Sequence, residues 1–210
     1  MIGVIDYNSG NIKSVCNALE RIGQKFVVVR APEEFEKCDK LIFPGVGAAD
    51  FAMKSLKGAG FIGAICGFKK PFLGICLGMQ LLAEFSEEGG VECLRILLNS
   101  RVLKFGTSSG TDDAGHVLKV PQVGWNRVNF TKTSAKSSLL FDGIESGEYF
   151  YFVNSYYLDC PDEYVLGRTD YGVNFVATVK KDNFYGVQFH PEKSGEAGQK
   201  LLLNFCEKCG

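Results

Sequence analysis

Apolar positions in the first half of the chain alternate between short runs and helical spacing. Ile2–Ile5, Phe26–Val29 and Leu41–Phe43 are short apolar runs, which predict buried strands. Between the first two runs lies Asn11–Ile22, where apolar residues recur every three or four positions and predict a helix that ends at Gly23. Repeated strand-helix-strand order predicts a mostly parallel sheet with helices on both faces.

The same order continues to the middle of the chain. Phe51–Leu56 and Phe61–Phe68 predict short helices, and Phe72–Ile75 predicts a further strand. A helix predicted over Leu77–Phe85 follows that strand directly. A strand therefore turns into a helix at residue 76.

The second half is dominated by strand patterns separated by Gly, Asn, Asp and Ser, which is typical of antiparallel hairpins. The predicted strands are Val102–Phe105, Val117–Val120, Trp125–Phe130, Glu148–Val153, Tyr164–Arg168, Phe175–Val179 and Phe184–Phe189. Gly106–Gly115 is a polar loop, and Ser194–Cys206 predicts a closing helix. We therefore expect one α/β domain over residues 1–210, with a mostly parallel central sheet flanked by helices and antiparallel hairpins added in the second half.

Composition and charge argue against a nucleic-acid-binding, membrane-spanning or secreted protein. The 210 residues are 46% hydrophobic and 22% charged, and the net charge of −1 gives no electrostatic footprint for nucleic acid or an anionic membrane. Met1–Asp6 lacks a signal-peptide pattern, and the apolar stretch Pro71–Ala83 is too short to span a bilayer. We expect a soluble, cytoplasmic protein with reduced cysteines and no bound metal, in which the lone Cys206-x-x-Cys209 pair is incidental.

The strand-to-helix junction carries a nucleophile pattern, Gly74-Ile-Cys-Leu-Gly78. Glycines two residues before and after Cys76 permit the tight turn that exposes a nucleophile at a helix N-terminus. The N–H of Leu77 is then placed to stabilise an oxyanion. The alternative is a buried core cysteine, which would not need both glycines. Cysteines without this frame are expected to be structural: Cys16, Cys38, Cys66, Cys93 and Cys160.

A thiol nucleophile usually needs an imidazole partner, and the chain has two histidines. His116 follows the Gly-rich loop, which is a poor place for defined geometry. His190 ends a predicted strand before Pro191, so its backbone is expected to be extended. Extended geometry places Glu192 on the same side as His190, where it can orient the ring. The alternative is a strand-end histidine beside a surface glutamate.

Two further segments are candidate substrate contacts. Pro44-Gly-Val-Gly47 follows a strand, and its glycines let the backbone bring amides close to a substrate. Gln80 lies one helical turn after Cys76 and is predicted to face the same pocket, or else solvent.

Together these motifs resemble the class I glutamine amidotransferases. The resemblance covers essentially the whole chain and is carried by the segments 74–80, 189–192 and 44–47. It is narrowed by Asp6–Asn11, Pro121–Asn126, Tyr149–Val153 and Phe189–Gly195, which are similar to the glutaminase subunits of imidazole glycerol phosphate synthases.

The resemblance implies a catalytic triad of Cys76, His190 and Glu192 that forms a thioester with glutamine and needs no cofactor. It implies that the amides of Val46 and Leu77 form the oxyanion hole. The residues implied to hold glutamine are Gly47, Gln80, Glu88, Ser155 and Tyr156. The residues implied to contact a partner are Asn11, Trp125, Tyr151 and Lys193.

The implied partner is a (β/α)₈-barrel cyclase subunit, bound as a heterodimer. It would use the ammonia to make imidazole glycerol phosphate and an aminoimidazole carboxamide ribotide in histidine biosynthesis. The chain departs from the family at Asn154, where relatives usually have His. This position is outside the triad, so the departure concerns contacts with glutamine and the partner.

Other functions remain open at the level of sequence. A paralogous subunit would supply ammonia to a related barrel partner that builds surface sugars. A free-standing cysteine peptidase or γ-glutamyl hydrolase would be active without a partner. An inactive regulatory subunit is disfavoured because Cys76 and His190 are both present.

Overall fold

A computed structural model of the protein describes residues 1–7, 12–106, 118–131 and 138–210. In chain order the elements are β1 (Ile2–Ile5), α1 (Ile12–Arg21), β2 (Phe26–Val29), β3 (Lys40–Gly45), α2 (Ala49–Gly58), α3 (Phe61–Gly67), β4 (Phe72–Cys76), α4 (Leu77–Gln80), β5 (Phe85–Ser86), β6 (Val91–Glu92), β7 (Arg101–Lys104), β8 (Gln122–Phe130), β9 (Glu148–Asn154), β10 (Tyr156–Asp159), β11 (Val165–Asp170), β12 (Asn174–Lys181), β13 (Phe184–Val187) and α5 (Gly195–Glu207).

The strands of the described residues form one 13-stranded sheet. Its parallel part has the order β2-β1-β3-β4-β13, and β12 continues it in antiparallel pairing with β13. The predicted mixed sheet is therefore confirmed. Strands β4 and β13 are neighbours, with Ile75 opposite Val187. Cys76 and His190 are 114 residues apart in sequence, yet their segments thus leave the sheet at the same end.

Both faces of the parallel strands are buried. In β3, Leu41 and Phe43 pack into one apolar cluster and Ile42 packs into the other. Successive side chains of a strand point to opposite faces, so this alternation shows that each face has its own core. Such two-sided burial is what produces the near-continuous apolar runs seen in the sequence.

The helix predicted over Leu77–Phe85 is wrong beyond its first turn, because α4 ends at Gln80. The carbonyls of Leu81, Leu82 and Ala83 accept N–H groups from residues 94–97 instead of continuing the helix. These three side chains are fully buried. A continuous apolar run is compatible with a buried helix, strand or irregular segment. Here the conformation of residues 81–83 is set by backbone hydrogen bonds to residues 94–97.

The strand predicted over Val117–Val120 is also wrong where it can be compared, since residues 118–120 form no strand. They lead through a cis peptide at Val120–Pro121 into β8. The pattern did not predict β10 or the two-residue strands β5 and β6. From residue 107 onward, the loop predicted over Gly106–Gly115 lies outside the described residues.

In the ranges that the structure describes, no helix has the length and apolar character needed to cross a membrane.

Candidate active site

Cys76 occupies a sharp turn between β4 and α4, with φ 53° and ψ −109°. Residues other than glycine rarely adopt a positive φ, because this backbone conformation is strained. Such a strained backbone is typical of a nucleophile elbow. The flanking glycines are required by close packing. A Cβ at Gly78 would lie 2.0 Å from the carbonyl oxygen of Phe43, and one at Gly74 would lie 2.5 Å from the carbonyl oxygen of Gly78.

The short helix after Cys76 changes one part of the electrostatic expectation. With a single turn, α4 contributes fewer aligned peptide dipoles than the predicted nine-residue helix would. The amides of its first residues still lack partners within the helix, and that of Leu77 remains a candidate oxyanion donor. The imidazole of His190, which hydrogen-bonds to Cys76, is the other group that can support negative charge on the sulfur.

His190 and Glu192 form a buried pair beside Cys76. The Nδ1 atom of His190 lies 2.8 Å from Oε1 of Glu192, and the two side chains are only 4% and 2% exposed. The backbone at His190 is extended, as predicted. From Pro191 the chain forms a 3₁₀ turn, so Glu192 reaches the ring through this turn and not through continued extended chain.

Burial alone would lower the pKa of His190, because it disfavours the charged ring. Hydrogen bonds and charge attraction from Cys76 and Glu192 outweigh burial and raise that pKa to about 10. At neutral pH the ring is therefore an imidazolium. This is the partner that a thiolate nucleophile needs.

Replacing Cys76 by Ala is expected to lower the pKa of His190 below about 10, because the hydrogen bond and charge of Cys76 are removed while burial stays. The measurement is an NMR titration of the imidazole ring in both proteins, with His116→Gln used to assign the second histidine. An unchanged pKa of His190 in the Ala variant would show that the two side chains do not interact.

A buried amide pair extends from the sulfur of Cys76. Nε2 of Gln188 lies 3.6 Å from Cys76 Sγ, and its Oε1 accepts a hydrogen bond of 2.8 Å from Nε2 of Gln80. Gln80 also donates to the carbonyl of Tyr156 at 2.9 Å. Both amide hydrogens of Gln80 are thus used within the protein. Gln188 was missed in the sequence, although a polar residue two positions before His190 in an apolar strand was an available signal.

Cys76 lines a cleft of about 310 Å³. The cleft is lined by all five residues predicted to hold glutamine and by both predicted oxyanion residues: Val46, Gly47, Leu77, Gln80, Glu88, Ser155 and Tyr156. Asn154 also lines it, and donates a hydrogen bond from Nδ2 to the carbonyl of Tyr156 at 3.0 Å. Asn154, where the sequence led us to expect a departure from the family, thus holds the backbone of the cleft wall.

Glu88 brings a carboxyl group to the lining of the cleft. Its Oε2 accepts the N–H of Ala49 at 3.0 Å. Burial raises the pKa of this carboxyl, the bond from Ala49 lowers it, and the charge of Asp50 raises it further, with a net upward shift. A partly buried carboxylate of this kind gains by pairing with a cationic group.

Three of the predicted partner contacts form a cluster beside the cleft. The rings of Trp125 and Tyr151 meet edge to face at 6.0 Å, and Nζ of Lys193 lies 5.9 Å from the Tyr151 ring centre. Trp125 is 55% exposed, while Lys193 also lines the cleft. The fourth, Asn11, and the rejected base His116 lie outside the described residues.

The remaining cysteines differ from Cys76 in their surroundings. Burial raises the pKa values of Cys93, Cys160 and Cys206 to about 12, which favours unreactive thiols. Cys209, the second member of the C-terminal pair, is buried as well. Among the side chains that the structure describes, no group of three or more His, Cys, Asp or Glu is arranged to hold a metal ion.

The family model for glutamine amidotransferase class-I matches residues 3–209. The chain therefore belongs to the class I glutamine amidotransferase family. Its relatives include proteins named imidazole glycerol phosphate synthase subunit HisH in several organisms. The Bacteroides fragilis protein is 46% identical over 206 residues, covering 98% of each chain. The Haemophilus influenzae protein is 45% identical over 207 residues (99% and 97% of the two chains), and that of Archaeoglobus fulgidus is 42% identical over 205 residues (98% and 97%).

Solved structures agree on the fold. A crystal structure of a glutamine amidotransferase is 19% identical with a TM-score of 0.72, covering 98% of this chain and 97% of the other. A glutamine amidotransferase from Thermotoga maritima is 16% identical with a TM-score of 0.63, covering 97% and 81%. The predicted family, the α/β fold class and the classification as a glutamine amidotransferase similar to HisH subunits are thus confirmed.

Proposed function

We propose that this chain hydrolyses glutamine to glutamate and ammonia through Cys76, His190 and Glu192, and delivers the ammonia to a (β/α)₈-barrel cyclase subunit. In that complex the ammonia would be used to make imidazole glycerol phosphate and an aminoimidazole carboxamide ribotide in histidine biosynthesis. The observation that carries the proposal is the buried His190–Glu192 pair beside the strained Cys76, with Cys76 and His190 both lining a cleft of about 310 Å³.

The chemistry starts from the imidazolium of His190. The thiolate of Cys76 attacks the carboxamide carbon of glutamine, and negative charge moves to the carboxamide oxygen. The N–H of Leu77 and that of Val46, the latter after rotation of its peptide, would stabilise this oxyanion. The imidazolium of His190 gives its proton to the departing nitrogen, which leaves as ammonia. Neutral His190 then takes a proton from the water that cleaves the thioester, and glutamate leaves.

Glu88 would bind the α-ammonium group of glutamine. Replacing Glu88 by Gln is expected to raise KM by about 10- to 100-fold, with kcat changed much less, because a charge-assisted hydrogen bond to substrate is lost. Since burial raises the pKa of Glu88, KM of the unmodified enzyme should also begin to rise at a higher pH than for an exposed glutamate as pH falls. Steady-state kinetics across pH measure both effects.

The matched control is Glu87→Gln. The carboxylate of Glu87 also accepts a backbone N–H, from Lys104 at 2.8 Å, but it does not line the cleft. This variant should keep the KM of the unmodified enzyme. Equal KM values for the two variants would remove Glu88 from the glutamine site.

Support for the cyclase partner comes from the cluster of Trp125, Tyr151 and Lys193 and from the relatives, which are subunits of a synthase. Ammonia in neutral water is mostly ammonium, which has no lone pair with which to attack. A partner seated over the cleft would keep the product neutral. Lys193, which belongs to both the cluster and the cleft, would lie where the two proteins meet.

The test is glutamate release by the purified chain, alone and with the cyclase subunit of the same organism plus its nucleotide ligand. We expect weak release alone, a large rise in the complex and no release from Cys76→Ala. Strong release without the partner would favour the free-standing hydrolase. Stimulation by a sugar-pathway barrel in place of the cyclase would favour the paralogous subunit.

A further inference from the structure

The hydroxyl of Ser194 connects the catalytic turn to a neighbouring strand. Ser194 Oγ donates to the carbonyl of His190 at 2.6 Å and accepts the N–H of Tyr151 at 2.9 Å. The N–H of His190 in turn donates to the carbonyl of Tyr151 at 2.8 Å. These three bonds form a closed ring in which the hydroxyl takes the place of one direct backbone bond. The side chain is 2% exposed, so water does not compete for these groups.

Strand β9 therefore contacts both reacting residues through its backbone: it bonds to the backbone of His190 and lies against the sulfur of Cys76. Tyr151 holds His190, and two residues along the same strand the carbonyl oxygen of Val153 lies 3.7 Å from Cys76 Sγ. Among the described strands β9 pairs only with β8. On its other edge, the bonds to His190 and Ser194 hold it at Tyr151.

The opposite side of the same residue belongs to the exposed cluster. The Tyr151 ring contacts Trp125 and Lys193, which are predicted to meet the partner. A displacement of Tyr151 produced at this surface would move the carbonyl and N–H that hold His190. Because Ser194 bonds to both Tyr151 and His190, its hydrogen bonds would transmit a movement of Tyr151 to His190.

We propose that Ser194 is a positioning residue that couples the partner-facing strand β9 to the catalytic base His190. The part of this inference that concerns regulation by a partner rests on the proposed glutaminase function. A hydroxyl suits this role because it donates and accepts at once, whereas alanine would leave a buried N–H and a buried carbonyl unpaired.

Ser194→Ala is the test variant, and Ser100→Ala is its matched control. Ser100 is also buried, accepts a backbone N–H (from Glu84 at 3.3 Å) and donates to a backbone carbonyl (of Leu97 at 2.5 Å), but it does not line the cleft. Ser194→Cys keeps a side chain of similar shape with a weaker donor. It should give intermediate values, and it supplies a folded protein if the alanine variant does not fold.

The first readout is the rate at which iodoacetamide alkylates Cys76 as a function of pH, located by peptide mass mapping. It reports how well His190 supports the thiolate and needs neither glutamine nor partner. The second readout is glutamate release with and without the cyclase subunit. We expect Ser194→Ala to slow alkylation at neutral pH and to lower kcat by about 10- to 100-fold, with KM changed less than about threefold and a smaller ratio of stimulated to basal rate.

The inference is overturned if Ser194→Ala matches Ser100→Ala in alkylation, kcat and partner stimulation. A loss of activity with an unchanged stimulation ratio would overturn the coupling of β9 to His190. If the unmodified protein released no glutamate with its partner, the proposed function would fail, and the alkylation rates would still decide whether Ser194 positions His190.

Discussion

Replacing His190 by Asn is expected to lower kcat for glutamate release by about 10³-fold, because one side chain supplies both the charge that supports the thiolate and the proton for departing ammonia. The fold should survive, since the hydrogen bond from His190 to Tyr151 is made by the backbone. Single-turnover measurements with enzyme in saturating excess over glutamine, and circular dichroism as a check on folding, would give the effect on chemistry alone.

Two control variants separate the parts of this effect. His116→Asn should leave kcat within about twofold, because His116 is not part of the proposed triad. Glu192→Gln keeps an acceptor for Nδ1 of His190 but removes the charge, and kcat should fall by about 10- to 100-fold. Loss of activity in His116→Asn together with an active His190→Asn would reverse the assignment of the base.

The local features of the site were predictable from sequence. The spacing Gly74-x-Cys76-x-Gly78 indicates a tight local turn, in which a Cβ at Gly74 would meet the carbonyl of Gly78, and the turn at Cys76 has the expected form. The parallel strands were predicted for a similar reason, since burial on both faces forces continuous apolar runs such as Phe72–Ile75.

Features that depend on distant pairing were not predictable. The bond between Tyr151 and Ser194 joins residues 43 positions apart, and that between Gln80 and Gln188 joins residues 108 apart. The run after Gln80 has an apolar pattern that suits a helix, yet its carbonyls pair with residues 94–97. A pattern read within a window of some dozen residues contains no information about these partners.

Gly78→Ala is expected to destabilise the protein and to abolish activity, although alanine is ordinarily the better helix former. A Cβ at this position would lie 2.0 Å from the carbonyl oxygen of Phe43 in β3, and backbone cannot rotate away as a side chain can. Helix α4 would have to move away from β3 beside Cys76. Overpacking of this kind costs about 1–3 kcal/mol or more. For a chain of this size, we expect the melting temperature to fall by about 3–10 °C.

Gly63→Ala is the matched control for this effect. Gly63 lies inside α3, and a Cβ there would meet no atom within 4 Å. Its replacement should raise stability by up to about 1 kcal/mol through helix propensity alone, with kcat unchanged. Opposite signs for the two substitutions would show that contact with β3, and not conformational freedom, requires glycine after the nucleophile. If Gly78→Ala were as stable and active as Gly63→Ala, the elbow would tolerate a side chain there, and the close approach of α4 to Phe43 would not be needed to hold Cys76.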